Sequence, residues 1–120
     1  MSKKLLSLDF DGVLHSYTSG YTGDPYDIPD PPVKGSKAFL KEAIKHFDVG
    51  IHSSRLRHFF GKVVVRDWLI KHYGRKISDK IQLFTDKPPF HLHLDDRAAT
   101  FTGKFPTMKE IESFKPWHEE

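Results

Sequence analysis

The chain contains no cysteine. Disulfides, thiolate zinc sites and cysteine nucleophiles are therefore excluded together, and a reducing, cytoplasmic setting is the expected one. No apolar run approaches the length of a bilayer span, so no membrane partner is expected. Met1-Ser2-Lys3-Lys4 leads into only a few apolar residues before Asp9, too few for a secretory leader. Internal repeats and low-complexity segments are also lacking. Neither sign of charge dominates: 19 Lys and Arg stand against 16 Asp and Glu, for a formal net charge of +3. That mild excess suits a phosphorylated substrate or a nucleic acid without arguing strongly for either.

What is present is the composition of one globular domain. A chain of 120 residues can bury a real core and leaves little room for a second domain, so residues 1–120 are expected to fold as one unit. Hydrophobic residues make up 38% and charged residues 29%, enough for a core and a solvated surface.

The most informative stretch is Leu5-Leu6-Ser7-Leu8-Asp9-Phe10-Asp11-Gly12-Val13-Leu14. A short, bounded apolar run suits a buried strand of a parallel sheet. It ends in two aspartates spaced i, i+2, at the strand's carboxyl end, where ligands of open α/β sheets bind. Gly12 lets the chain turn sharply there. Two crowded carboxylates repel unless a cation or a shared proton relieves them, and a hard cation such as Mg²⁺ does so through oxygen ligands. A lone Asp-x-Asp also fits ordinary turn chemistry.

Three later junctions repeat the pattern of an apolar strand ending in polar groups. Asp48 to Arg55 runs from Val49 and Ile51 into Ser53, Ser54 and Arg55. A hydroxyl and neighbouring backbone N–H groups at a strand end can hold a phosphate, although serine there is also a common helix cap. Ser53 is the preferred hydroxyl, Ser54 the alternative, and Arg55 either contacts substrate or pairs with a nearby acid. Residues 80–84 form a third expected strand, within an apolar stretch from Ile77, followed by Lys87-Pro88-Pro89, a lysine on a stiff turn. Its ammonium is a compact charge for phosphate oxygens. The segment His91 to Leu94 forms a fourth strand ending in Asp95-Asp96. His91 and His93 share a face and read as core or surface histidines, since carboxylates already suit a hard metal. Arg97 is expected to tie down neighbouring acids.

Between these junctions lie the connecting elements. Residues 15–32 are rich in Gly, Pro, Ser, Thr and Asp and carry Tyr17, Tyr21 and Tyr26. A loop this long in a small domain is usually functional; it is expected to arch over the site as an ordered loop or β-flap. Its tyrosines suit stacking on a base or sugar, or pinning the loop to the body. Helical spacing over 33–47 places Phe39, Leu40, Ala43, Ile44 and Phe47 inward, with Lys34, Lys37, Lys41 and Lys45 on one solvated face. Helical spacing over 59–73 places Phe60, Val63, Val64, Trp68 and Leu69 inward, with Gly74 as the stop. Thr107 to Glu110 is a capping-box pattern, and Ile111, Phe114 and Trp117 are expected to pack that end onto the sheet.

The four junctions, in order, resemble the four motifs of the haloacid dehalogenase (HAD) superfamily, mostly phosphatases and phosphotransferases. Asp9-Phe-Asp11-Gly-Val-Leu is similar to the first motif, the strand ending in Ser53 to the second, Lys87-Pro88 to the third and Asp95-Asp96 to the fourth. The resemblance covers Asp9 to Asp96. It departs in one place, because many HAD proteins carry a helix between the lysine and the last strand and only a few residues stand here.

The resemblance implies a three-layer, Rossmann-like parallel sheet with helices on both faces, and a short flap at 15–32 in place of a cap domain. It also implies a Mg²⁺-dependent phosphohydrolase. In that mechanism Asp9 attacks phosphorus to form an aspartyl-phosphate, and Asp11 serves as general acid and base. Ser53 and Lys87 hold phosphoryl oxygens, while Asp9, the Asp11 carbonyl and Asp95, with or without Asp96, hold the metal. A nearly capless site suits a phosphomonoester on a large or open substrate, with nucleotide or polynucleotide phosphate favoured by the basic balance and the loop tyrosines. The motifs are also similar to the phosphatase half of polynucleotide kinase-type enzymes. The competing class is a catalytically silent HAD-like module that binds phosphate or nucleic acid.

Overall fold

Strand β1 (Leu5–Leu8) lies at the centre of the architecture, and the computed structural model describes residues 3–119 around it. Helix α1 (Ser36–His46) leads to β2 (Asp48–His52). A 3₁₀ turn (Ser54–Arg57), helix α2 (Gly61–Tyr73) and one-turn α3 (Arg75–Ser78) lead to β3 (Ile81–Phe84). Strand β4 (Leu92–Leu94), the short helix α4 (Met108–Glu112) and a second 3₁₀ turn (Trp117–Glu119) complete the order. The four strands form one sheet in the order β3-β2-β1-β4, every pair parallel, as expected of this α/β class.

Register sorts the strand residues into two unlike faces. Leu6 pairs with Val49 and Leu92, and Leu8 pairs with Ile51 and Leu94; Ile81 and Leu83 continue the row. Side chains alternate along a strand, so these apolar residues share one face. Ser7, Gly50, Gln82 and His93 fall on the other.

The connections β1-α1-β2 and β2-α2-β3 step across the sheet in the same direction. Right-handed crossovers then put both helices on one face. Leu40 and Ala43 of α1 and Val65, Trp68, Leu69 and Tyr73 of α2 accordingly join the apolar strand face in one core. A hydrogen bond of 2.8 Å between Ser36 Oγ and Tyr73 Oη ties the two helices together. Each fully buried Leu, Ile or Phe contributes about 1.5–3 kcal/mol, and Leu8, Phe10, Leu14, Leu40, Ile51 and Leu69 all qualify.

Helices were expected on both faces, and among the described residues a helical layer covers only one. The reason lies in residues 85–91, which join the site end of β3 to the opposite end of β4 without a helix. Such a chain, extending about 3.3–3.6 Å per residue, can cross β2 and β1 only diagonally over the second face. The side chains there fit that thin cover. Phe84 lies where a Cβ on Gly50 would be, and Phe90 stacks on His93 with ring centroids 5.3 Å apart. Only small residues, Ser7 and Gly50, fit beneath, and both are buried.

Several expected boundaries shift. Helix α2 starts at Gly61 and buries Val65, Trp68, Leu69 and Tyr73, while Phe60 and Val63 are exposed. Gly61 packs directly on the Arg55 carbonyl, which fixes how the helix is rotated about its axis. Phe39 points outward from α1, and Ile77 belongs to α3 rather than to β3. Helix α4 has its capping box, with Thr107 Oγ1 accepting from Glu110 N. Ile111, Phe114 and Trp117 nevertheless remain exposed rather than packing onto the sheet. The tail docks instead through buried Pro116 and the turn that follows it.

Candidate active site

The carboxyl ends of β1 and β4 meet where the strand order reverses, the place where ligands of open α/β sheets bind. Leu8 and Leu94 are register partners, so the residues that follow them, Asp9 and Asp95, are neighbours. The Asp9 backbone N–H donates to the Leu94 carbonyl at 2.8 Å and locks the two ends together. One ligand oxygen each from Asp9, Asp95 and Asp96 lies within 4.8 Å of the others. Three carboxylates with only oxygen donors suit a hard divalent cation.

Asp9 registers the crowding. Burial pushes its carboxyl up, to about 8 from an ordinary 3.8; the hydrogen bond from Phe10 N opposes this, and Asp95 and Asp96 add to the rise. A cation among the three would relieve the repulsion.

Asp11 sits in the opposite environment. Arg55 Nε donates to both of its oxygens, at 3.0 Å and 2.8 Å, and His15 Nδ1 lies 2.8 Å from Oδ1. Burial pushes Asp11 upward, but the hydrogen bonds from His15 and Arg55 and the guanidinium charge outweigh it and hold the carboxyl below its ordinary value. Arg55 thus pairs with an acid, one of the two roles its position allowed. It is buried, and its Nη1 donates to the carbonyls of Pro25 at 2.7 Å and Asp27 at 3.0 Å. The flap therefore docks behind Asp11. It contains no strand, only isolated bridges from His15 to Asp11 and to Pro32. Tyr26 pins it to the body by accepting from Phe60 N through its hydroxyl, while Tyr21 is exposed.

Ser53 is buried at the end of β2 on the same sheet edge, and its Oγ accepts from Arg55 N at 3.3 Å as the cap of the 3₁₀ turn. Ser54 is exposed. Lys87 is exposed on the crossing segment, its ammonium 5.4 Å from the centroid of Phe90. Among the described residues it makes no ion pair with the aspartates.

Sequence reasoning missed the histidines. His15 holds Asp11, His93 Nε2 lies 3.3 Å from Asp95 Oδ2, and His118 Nε2 lies 2.6 Å from Asp96 Oδ2. His93 is anchored in turn by Ser7 Oγ at 2.9 Å. Its alternation with leucine marked its face but not its partner. His15 directly follows the Asp11-Gly-Val-Leu turn, so its proximity to Asp11 was readable in principle. Nothing local marks His118, which arrives from the far end of the chain. Trp117 comes with it and donates from Nε1 to the Gly12 carbonyl at 2.7 Å. Arg97 adds two ties, its backbone N–H to Asp95 Oδ1 at 2.8 Å and its Nη2 to Glu119 at 2.6 Å. Among the described residues, no helix is long and apolar enough to cross a membrane. No protein-family model matches the chain, and no curated protein matches it.

Proposed function

We propose that the protein is a Mg²⁺-dependent phosphohydrolase that cleaves a phosphomonoester through an aspartyl-phosphate. The observation that carries this reading is the convergence of Asp9, Asp95 and Asp96 at the carboxyl edge of two adjacent parallel strands. Asp9, Asp95 and Asp96 would hold the cation, which when bound neutralises phosphoryl oxygens and offsets carboxylate crowding.

The chain's own groups then divide the chemistry. An Asp9 oxygen attacks phosphorus as the bond to the leaving oxygen breaks. Asp11 takes a proton from the water that cleaves the aspartyl-phosphate and, so protonated, gives it to the leaving oxygen of the next turnover, so that each cycle returns the carboxylate. Its ionised state, favoured by Arg55, suits the second, water-activating half. Ser53, at the carboxyl end of β2, would offer its hydroxyl to a phosphoryl oxygen, and Lys87, on the crossing segment, its ammonium.

The absence of a helical cap over 15–32 supports an open site and a phosphate carried on a nucleotide or polynucleotide. The lysine stripe of α1 adds little to that choice: Lys37, Lys41 and Lys45 line a groove with Tyr73, Lys76 and Ile77, apart from the site acids. Phosphate release from an aryl phosphate, with and without Mg²⁺ and with Asp9→Asn as the blank, tests the reading. Mg²⁺-dependent turnover lost in the variant supports it. Phosphate binding without turnover by folded, Mg²⁺-loaded protein would replace it with a silent binding module. A panel of nucleotides and 3′- or 5′-phosphorylated oligonucleotides then sorts the substrate.

A further inference from the structure

His15 is fully buried, with 0% of its surface exposed, and both ring nitrogens are engaged. The Asp30 backbone N–H donates to Nε2 at 3.0 Å, so Nε2 must present a lone pair and carries no hydrogen. The Asp30 carboxylate does not compete for that nitrogen. It lies 3.7 Å away, beyond hydrogen-bond range, and its oxygens accept from the Ser19 backbone N–H and hydroxyl. The one ring N–H is therefore on Nδ1, aimed at Asp11 Oδ1 2.8 Å away.

The ring plane is fixed as firmly as the tautomer. Phe10 stacks on it at 5.6 Å, and Trp68 and Tyr17 meet it edge-on, both at 5.8 Å. Tyr17 does so from a left-handed backbone, φ 61°, a conformation unfavourable for a non-glycine residue. Strain of this kind persists where surrounding contacts over-determine it.

We propose that His15 is a positioning residue for Asp11: the flap amide of Asp30 fixes the imidazole as its Nδ1–H tautomer, and that N–H orients the Asp11 carboxylate. The role given to Asp11 rests on the phosphohydrolase reading; the tautomer and its origin do not. Arg55 repeats the arrangement, holding Asp11 with Nε while Pro25 and Asp27 carbonyls hold Nη1. Both partners of Asp11 are thus backed by the main chain of residues 25–30. A histidine whose tautomer is set by its second nitrogen is a recognised way to orient a reacting group.

Two measurements test this. Long-range ring ¹H–¹⁵N correlations on histidine-labelled protein should show His15 as one neutral Nδ1–H tautomer. An Nε2–H tautomer, or averaging between the two, overturns the proposal. On an aryl phosphate with Mg²⁺, His15→Leu should lower kcat by roughly 10–100-fold with little change in KM. His15→Asn, whose amide N–H can reach the Nδ1 position, should recover most of that loss. Equal losses in two variants that unfold at the wild-type temperature reduce His15 to a packing residue and overturn the proposal. If the wild-type protein turns over no substrate, the phosphohydrolase reading fails separately. The His15 proposal then stands or falls on the Asp11 carboxyl ¹³C signal, which must move in His15→Leu.

Discussion

His118 Nε2 lies 2.6 Å from Asp96 Oδ2, and both side chains are almost wholly buried, 4% and 6% exposed. The contact joins the last turn of the described chain to the carboxylates of β4's edge. On either side of it, Trp117 donates to the Gly12 carbonyl and Glu119 meets Arg97. Outer partners of metal ligands hold them in place, and losing one typically costs about 10–100-fold in metal affinity or activity. His118→Ala is expected to weaken Mg²⁺ binding by that order in calorimetric titration. An unchanged affinity would remove Asp96 from the ligand set.

Gly12 faces the same carboxylate. Its backbone is left-handed, φ 82°, and a Cβ there would overlap the Asp96 side chain. Left-handed backbone alone costs a non-glycine residue about 1–2 kcal/mol, and the overlap must also displace Asp96. Gly12→Ala should therefore lower the midpoint of chemical denaturation and weaken Mg²⁺ binding together. Gly20→Ala provides the control: its φ is also positive, but nothing lies near its Cβ, so stability alone should fall.

The strands and their acids were legible because each depends on a few adjacent residues. Leu5 to Leu8 needs only its own apolar pattern to be a buried strand, and Asp9 and Asp95 follow their strands directly. The helix stripes were legible in kind but not in rotation. Trp68 and Leu69 are buried as spacing predicts, but Phe60 and Val63, which look inward by spacing alone, are exposed, and with Gly61 packed on the Arg55 carbonyl it is Val65 and Tyr73 that join the core. Helices on both faces were expected although the short stretch after Lys87 leaves no room for one before β4. The contacts that finish the site were not legible, since they are long-range. Arg55 reaches Asp11 across 44 positions and Trp117 reaches Gly12 across 105, and no local pattern encodes such a pairing.

The Arg55–Asp11 pair should matter for folding as well as for chemistry. Arg55 is 5% exposed and Asp11 19%. Removing one partner of a buried pair typically costs about 3–5 kcal/mol, because the other is left uncompensated. Arg55→Met should be destabilised by that order, and Asp11→Asn combined with it should recover part of the loss. The acid dependence follows from sign. Asp11 has its carboxyl lowered in the folded state, so its contribution is present above the ordinary value of 3.8 and disappears as pH falls through the lower folded value. Wild-type protein should lose stability over that acid interval more steeply than Asp11→Asn. Superimposable profiles would mean that the pair contributes nothing net.

Asp9 gives the opposite slope. Its folded carboxyl lies at about 8 against an ordinary 3.8, through burial first and Asp95 and Asp96 in support. Between those values the folded protein holds a proton that the unfolded chain has released. Without divalent cations, stability should therefore fall as pH rises from about 4 to about 8, and the full penalty should apply above that. A metal must displace the same proton, so Mg²⁺ should bind more tightly as pH rises through this window and should restore most of what was lost. Thermal unfolding across pH, with EDTA and with Mg²⁺, measures both effects. In EDTA, Asp9→Asn should flatten the decline, since an amide neither titrates nor repels Asp95 and Asp96. If wild-type and variant midpoints decline in parallel, the destabilising charge lies elsewhere and the three carboxylates do not form the crowded cation site.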